Sequence, residues 1–130
     1  METFARIGKA LGDTIAMTVS ITDGLVVIGG GLSGAYKYMK EAMFEAIRGK
    51  MYRVNGEPID KLASKVYDLD DPEELRQFIK GEQRQIKIYN SEIEVTYDPQ
   101  KRIGVAHSKI GANKAVSLGA YAFALHQLSR

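Results

Sequence analysis

The sequence predicts an α/β fold, and three patterns carry that prediction. A helical apolar face near the N-terminus leads into a strand of the buried type, that strand stops at three glycines followed by a second helix, and residues 102–130 return to strand, loop and helix. The chain has 130 residues, about one domain's worth. A domain of this size buries roughly two thirds of its unfolded surface, enough for a core. Hydrophobic residues make up 45% and charged residues 26%, which excludes a disordered or low-complexity chain. Lys and Arg number 18 against 16 Asp and Glu, too small an excess to argue for a nucleic-acid or membrane partner. Cysteine is absent, so disulfides, thiolate nucleophiles, iron–sulfur clusters and cysteine-ligated zinc are excluded, in keeping with a cytoplasmic address.

Phe4, Ile7, Leu11, Ile15 and Val19 recur at spacings of three and four and define one face of a helix from about Thr3 to Ser20. Thr22-Asp23-Gly24 is a turn. Leu25-Val26-Val27-Ile28 then forms a continuous apolar run, the pattern of a strand covered on both faces. From Leu32 to Arg48 the pattern is helical again: Met39, Met43 and Ile47 share one face, and Lys37, Lys40, Glu41 and Glu45 point outward. Thr14 to Ala35 is long enough to span a bilayer and carries only Asp23 as a charge, but the turn in its middle and Gly29-Gly30-Gly31 argue against a membrane helix. No signal-peptide pattern opens the chain.

Residues 49–101 change character and read as a small α+β insertion. Asn55-Gly56 makes a hairpin-type turn after Met51-Tyr52-Arg53-Val54. Asp71 followed by Pro72, Glu73 and Glu74 starts a helix, with a cap oxygen, a first-turn proline and acids that complement the helix dipole, and this helix reaches Ile79 before Gly81. Ile86–Tyr89 and Ile93–Tyr97 alternate around Asn90-Ser91 as a second hairpin. Ile103-Gly104-Val105-Ala106 is then a short strand and Lys114 to Gln127 a helix rich in small residues, among them Ala115, Gly119, Ala120, Ala122 and Ala124, along which another backbone or a ligand can come close.

Gly29-Gly30-Gly31-Leu32-Ser33-Gly34 satisfies G-x-G-x-x-G between a strand and a helix. Glycines there allow close backbone approach, and the helix start offers unpaired N–H groups and the positive end of its dipole to an anion. Three glycines also suffice for a plain tight turn. A dinucleotide site for NAD or FAD, in an oxidoreductase fragment, is a further reading, but it requires the motif to open the fold and an acid closing a second strand about 20 residues on. Here a full helix precedes the motif, and only Tyr52-Arg53-Val54 with Glu57 stands where that strand belongs.

The helix Phe4 to Ile21, the segment Leu25 to Ser33 with its Gly-Gly-Gly turn, and the closing stretch Lys109-Ile110-Gly111-Ala112-Asn113-Lys114-Ala115-Val116-Ser117-Leu118-Gly119-Ala120-Tyr121 together resemble the C-terminal part of ROK-family proteins, the bacterial sugar kinases and sugar-responsive repressors. The resemblance covers about residues 4–48 and 102–125; residues 49–101 resemble an insertion carried by some glucokinase-like members. It implies part of a ribonuclease-H-like lobe of the actin-like ATPase architecture, built from residues 1–48 and 102–130, in which ATP lies in the cleft between two lobes. Carried over by position, Gly29, Gly30 and Gly31 approach the nucleotide, Leu32 and Ser33 stand beside it at the helix start, and Asn113 and Lys114 line the purine side.

The family's phosphate-binding Asp-x-Gly-Gly-Thr segment, its sugar-binding residues, its catalytic aspartate and its zinc-holding His and Cys cluster match nothing in this chain. Phosphoryl transfer requires phosphates, metal and nucleophile to be positioned together, so the resemblance implies an ATP-binding lobe that is catalytically incomplete alone, with ATP, Mg and hexose bound by the complete protein. The alternative within the family is a non-catalytic oligomerisation or sugar-sensing module of a repressor, whose DNA-binding helix-turn-helix lies elsewhere. Helix faces meant for the other lobe imply that lobe, or another copy of the chain, as partner. Catalytic and metal-binding residues are not assigned. His107 and His126 are far apart in sequence, Ser33 and Ser108 lack a base pattern, Asp70 and Asp71 read as a helix cap, and the basic stretches around Arg48 and Lys101 read as solvated faces.

Overall fold

The structure, a computed structural model, describes residues 2–129. Met1 and Arg130, the outermost residues of the predicted lobe, lie outside the described residues. Helix α1 (Glu2–Thr22) leads to strand β1 (Val26–Ile28), a 3-10 turn (Gly31–Ala35) and helix α2 (Tyr36–Ile47). The middle of the chain forms β2 (Lys50–Tyr52), β3 (Pro58–Asp60), β4 (Lys65–Asp68), α3 (Pro72–Lys80), β5 (Arg84–Lys87) and β6 (Glu94–Tyr97), and the chain closes with β7 (Arg102–His107) and α4 (Ala112–Leu128).

The organising element is a parallel sheet in the order β1-β7-β4. Val26 pairs with Val105 and Ile28 with His107 on one side of β7, and Val66 pairs with Ile103 and Asp68 with Val105 on the other. Ile28, Val66, Ile103 and Val105 therefore share one face, which packs on Ile15 and Val19 of α1 and on Met43, Phe44 and Ile47 of α2. Met39, Met43 and Ile47 lie on one face of α2 and are almost completely buried, as their spacing predicts.

Helix α1 meets this layer through glycines that the apolar periodicity does not pick out. Gly8 and Gly12 are both buried. A Cβ at Gly8 would overlap the main-chain oxygen of Met39, and one at Gly12 would overlap the oxygen of Met43 and lie 2.8 Å from the Ala46 Cβ. The two helix backbones are thus in direct contact along one stripe, while Phe4, Ile7 and Leu11 on the predicted face are only half-buried.

The sequence predicts that β1 is covered on both faces; the structure covers one. Val27 and Leu25 are each 65% exposed, because only the α1–α2 layer reaches this edge strand. On the second face Phe78 of α3 packs edge-on against Tyr67 of β4 with ring centroids 5.8 Å apart, and the Leu69 and Leu25 side chains lie over Gly104 of β7. Residues 49–101 are also joined to the sheet, since β4 is one of its strands. Only the β2–β3 and β5–β6 hairpins form separate two-stranded sheets. Helix α3 begins as predicted: the Asp71 side chain accepts the Glu73 and Glu74 amides at 2.9 Å each, with Pro72 in the first turn.

Helix α4 stands apart. Every described residue from Asn113 onward is exposed, and Val116, Leu118, Tyr121, Phe123, Leu125 and Leu128 range from 49% to 85% exposure. No helix among the described residues is long and apolar enough to cross a membrane.

Candidate functional site

Because β1, β7 and β4 are parallel, their carboxyl ends lie together, and in open α/β sheets ligands bind in the crevice outside those ends. The glycine turn leaves β1 at this edge. The Ser108 amide donates to the Ile28 oxygen at 2.8 Å, which brings the loop after β7 alongside Gly29. Ser33 closes the turn on itself: its amide donates to the Gly30 oxygen at 3.1 Å and its hydroxyl to the same oxygen at 2.6 Å.

The turn needs fewer glycines than it has. Gly30, at φ 94°, is in the left-handed region that L side chains rarely adopt, so the backbone itself demands glycine there. Gly29, Gly31 and Gly34 have no such conformation, and a Cβ would meet nothing closer than the Ser108 Cβ, 3.7 Å from Gly29. Geometry within the chain therefore explains one of the four glycines. Of the other three, Gly29 lies against Ser108 without needing to be glycine, while Gly31 and Gly34 leave bare backbone facing open space, which is the arrangement that lets a phosphate or another backbone come close. Beside the turn lies a mainly apolar cleft of about 350 Å³, lined by Ile7, Leu11, Val27, Leu32, Ser33 and Met39. A larger cleft of about 650 Å³ lies elsewhere, between the end of α2, β4 and α3, where Arg48 and Glu74 are already paired at 2.5 Å.

Of the residues singled out in the sequence, Gly29, Gly30, Gly31, Leu32 and Ser33 form one continuous surface, with Leu32 60% exposed. Asn113 and Lys114 lie in the first turn of α4, both exposed, and no described side-chain hydrogen bond ties either to the glycine turn. The loop that leads to them, which already touches the end of β1 through Ser108, is held by a residue that the sequence reads as part of a helix cap. The Asp70 carboxylate accepts the His107 amide at 2.8 Å and the Lys109 ammonium at 2.6 Å. The Asp70-Asp71 pair thus divides: Asp71 caps α3, whereas Asp70 reaches across to the loop after β7. Asp68, the one buried charged residue among the described residues, pairs with Lys40 of α2.

Next to these acids the Tyr36 and His107 rings stack with centroids 4.6 Å apart and 5° between planes. Burial, and after it the charges of Asp68 and Asp70, push the Tyr36 phenol well above its ordinary pKa. Burial also pushes the Asp70 carboxyl up, but the Lys109 hydrogen bond, the His107 amide and the charges of Lys109 and Lys40 outweigh it and hold the group below the usual carboxylate range. Asp70 therefore keeps its charge and its grip on the loop over the whole neutral range. Among the described residues no three His, Cys, Asp or Glu side chains converge as a metal site.

Neither protein-family models nor curated proteins give a match to the chain. Among solved structures, the chain is similar to the glucokinase from Parabacteroides distasonis ATCC 8503, determined by crystallography at 3.00 Å resolution. The two share 38% sequence identity with a TM-score of 0.76 over 95% of this chain. The match covers 32% of the glucokinase, so the chain spans about a third of that protein's length.

Proposed function

We propose that this chain is the C-terminal, nucleotide-contacting lobe of a sugar kinase of the ROK family, glucokinase-like, which phosphorylates a hexose with ATP when joined to the lobe that this chain lacks. The observation that carries the reading is the glycine turn: Gly31 and Gly34 have open space where a side chain would fit, at the carboxyl edge of a parallel sheet. The likeness to a glucokinase over nearly the whole chain supports it independently.

On this reading Gly29, Gly30 and Gly31 bring bare backbone to the nucleotide, and Leu32 and Ser33 flank it. The apolar cleft beside Leu32 and Met39 offers the base a surface shielded from water, and Asn113 and Lys114 stand at the start of α4 on the purine side. ATP in the complete protein supplies the transferred phosphoryl group. Magnesium would be carried by its phosphates and by residues outside this chain, as would the catalytic aspartate, the sugar contacts and the zinc cluster. The proposed partners are the other lobe, which α4 would enter, or a second copy of the chain.

A chimera tests the reading. Replacing the matching third of the Parabacteroides distasonis glucokinase with this chain should give ATP-dependent hexose phosphorylation, measured in a coupled assay, and Gly31→Val in the chimera should reduce it at least about tenfold by blocking nucleotide approach. A folded, hexose-binding chimera with no activity above background would count against a kinase and favour the repressor module.

A further inference from the structure

We propose that Asp70 is a positioning residue: by holding the His107 amide and the Lys109 ammonium at once, it sets the path of loop 107–111 past the glycine turn and so the place of Asn113 and Lys114 beside a bound nucleotide. The first half of this statement concerns the chain alone; the second rests on the nucleotide reading above.

Strand β4 pairs with β7 as far as Asp68, and the Leu69 amide adds one more bond to the Val105 oxygen at 2.8 Å. In a parallel ladder the next bond would run from the His107 amide to a main-chain oxygen of the neighbouring strand. The chain instead turns away after Leu69 to start α3, and the Asp70 carboxylate takes the His107 amide in place of that oxygen. The ladder is thereby extended by a side chain that is charged, so the bond is of the stronger, charge-assisted kind.

Asp70 is itself fixed. Its amide donates to the Asp68 carboxylate at 3.0 Å, and Asp68 is buried against Lys40 of α2. The Asp70 side chain is 14% exposed while that of Lys109 is 80% exposed, so the anchor is on the inside and the loop is what it holds. The loop has few other restraints: the Ser108 amide on the Ile28 oxygen, and the Ser108 hydroxyl on the Ile110 oxygen at 3.0 Å. Beyond it α4 is exposed along its length, so its starting direction is set almost entirely between His107 and Gly111. Both ends of that loop matter to the site, because Ser108 lies beside Gly29 and Asn113 follows two residues after Gly111.

The test uses the full chain, isotopically labelled, as wild type, Asp70→Ala and Asp70→Asn. Amide exchange should be faster at His107 by about tenfold or more in Asp70→Ala, with Ile103 and Val105 changed by less than about threefold, because one charge-assisted bond is lost and the rest of the ladder stays. Asp70→Asn keeps an acceptor oxygen for His107 and should fall between the two, which also secures the test if the alanine variant folds poorly. In the glucokinase chimera, labelled in the segment that is this chain and probed with ATP and Mg, wild type should show saturable shifts at Gly31 and at Asn113; Asp70→Ala should keep the first and lose most of the second. Unchanged His107 exchange in Asp70→Ala, equal acceleration of His107 and Val105, or an unaltered Asn113 response would each overturn the proposal. If ATP shifts neither site in wild type, the nucleotide reading fails, the role beside a nucleotide falls with it, and the exchange result alone decides whether Asp70 holds the loop.

Discussion

Gly12→Val is expected to destabilise the chain by about 3 kcal/mol or more, out of the roughly 5 to 15 kcal/mol that holds a domain together. The side chain has nowhere to go. Its first carbon would overlap the Met43 main-chain oxygen and sit 2.8 Å from the Ala46 Cβ, and neither is the flexible end of a side chain that can swing aside. Relief requires α1 to move off α2, which uncovers Ile15 and Val19 on one side and Met43 on the other, at about 1.5 to 3 kcal/mol for each large side chain exposed. Gly8 makes the same contact one turn earlier, against Met39, so Gly8→Val with Gly12→Val should leave α1 undocked. Urea unfolding followed by circular dichroism measures this: the midpoint should fall in Gly12→Val, and the double variant should be largely unfolded in buffer. A midpoint equal to wild type would mean that the helices are not in backbone contact.

The second large effect concerns α4. A helix that is apolar all round belongs inside a structure, yet this one is exposed along its length. Copies of the chain are therefore expected to associate through it as concentration rises. Val116 and Phe123 lie seven residues apart on one side of the helix and are 72% and 66% exposed. Changing both to serine should weaken association about a hundredfold or more, since two buried side chains of this size contribute about 3 kcal/mol at the least. The stability of the single chain should change by less than about 0.5 kcal/mol, because neither residue supports its core. Sedimentation velocity across a range of concentrations decides the matter; a compact monomer throughout would contradict the expectation.

The two outcomes also show where sequence is informative. Local chemistry is readable: Asp71-Pro72 starts α3, Asn55-Gly56 turns a hairpin, and the period of Met39, Met43 and Ile47 defines the buried face of α2. These features depend on residues within a few positions of each other. Strand β4 was hidden because Val66-Tyr67 is too short an apolar run to signal a strand; pairing with β7, far along the chain, makes it one. Gly8 and Gly12 carry a usable signal in their spacing of four within a helix, since two glycines on one stripe allow a second backbone to approach. One side of β1 is exposed despite its apolar run, because such a run records what a strand is suited to pack against, not whether the packing element is present in the same chain.

At the site, the glycine motif was legible and its companion was not. Gly29 to Ser33 are adjacent in sequence, so their common surface follows from the turn alone. Asp70 is 37 residues from His107, and only the register of β4 on β7 brings its carboxylate to that amide. Nothing in the pattern Asp70-Asp71 distinguishes the residue that caps a helix from the one that extends a sheet.

At the glycine turn, ligand approach and folding can be separated, because Gly31 is not needed for the backbone conformation. Gly31 has ordinary backbone geometry and open space where a Cβ would stand, so Gly31→Ala and Gly31→Val should leave stability within about 1 kcal/mol of wild type. Titration of the glucokinase chimera, labelled in the segment that is this chain, with ATP and Mg, and separately with NAD and FAD, should show saturable shifts centred on Gly29 to Ser33 for ATP alone, and these should disappear in Gly31→Val. Shifts at those residues with NAD or FAD but not ATP, or an ATP response in Gly31→Val equal to wild type, would contradict the assignment of this turn to the nucleotide of a sugar kinase.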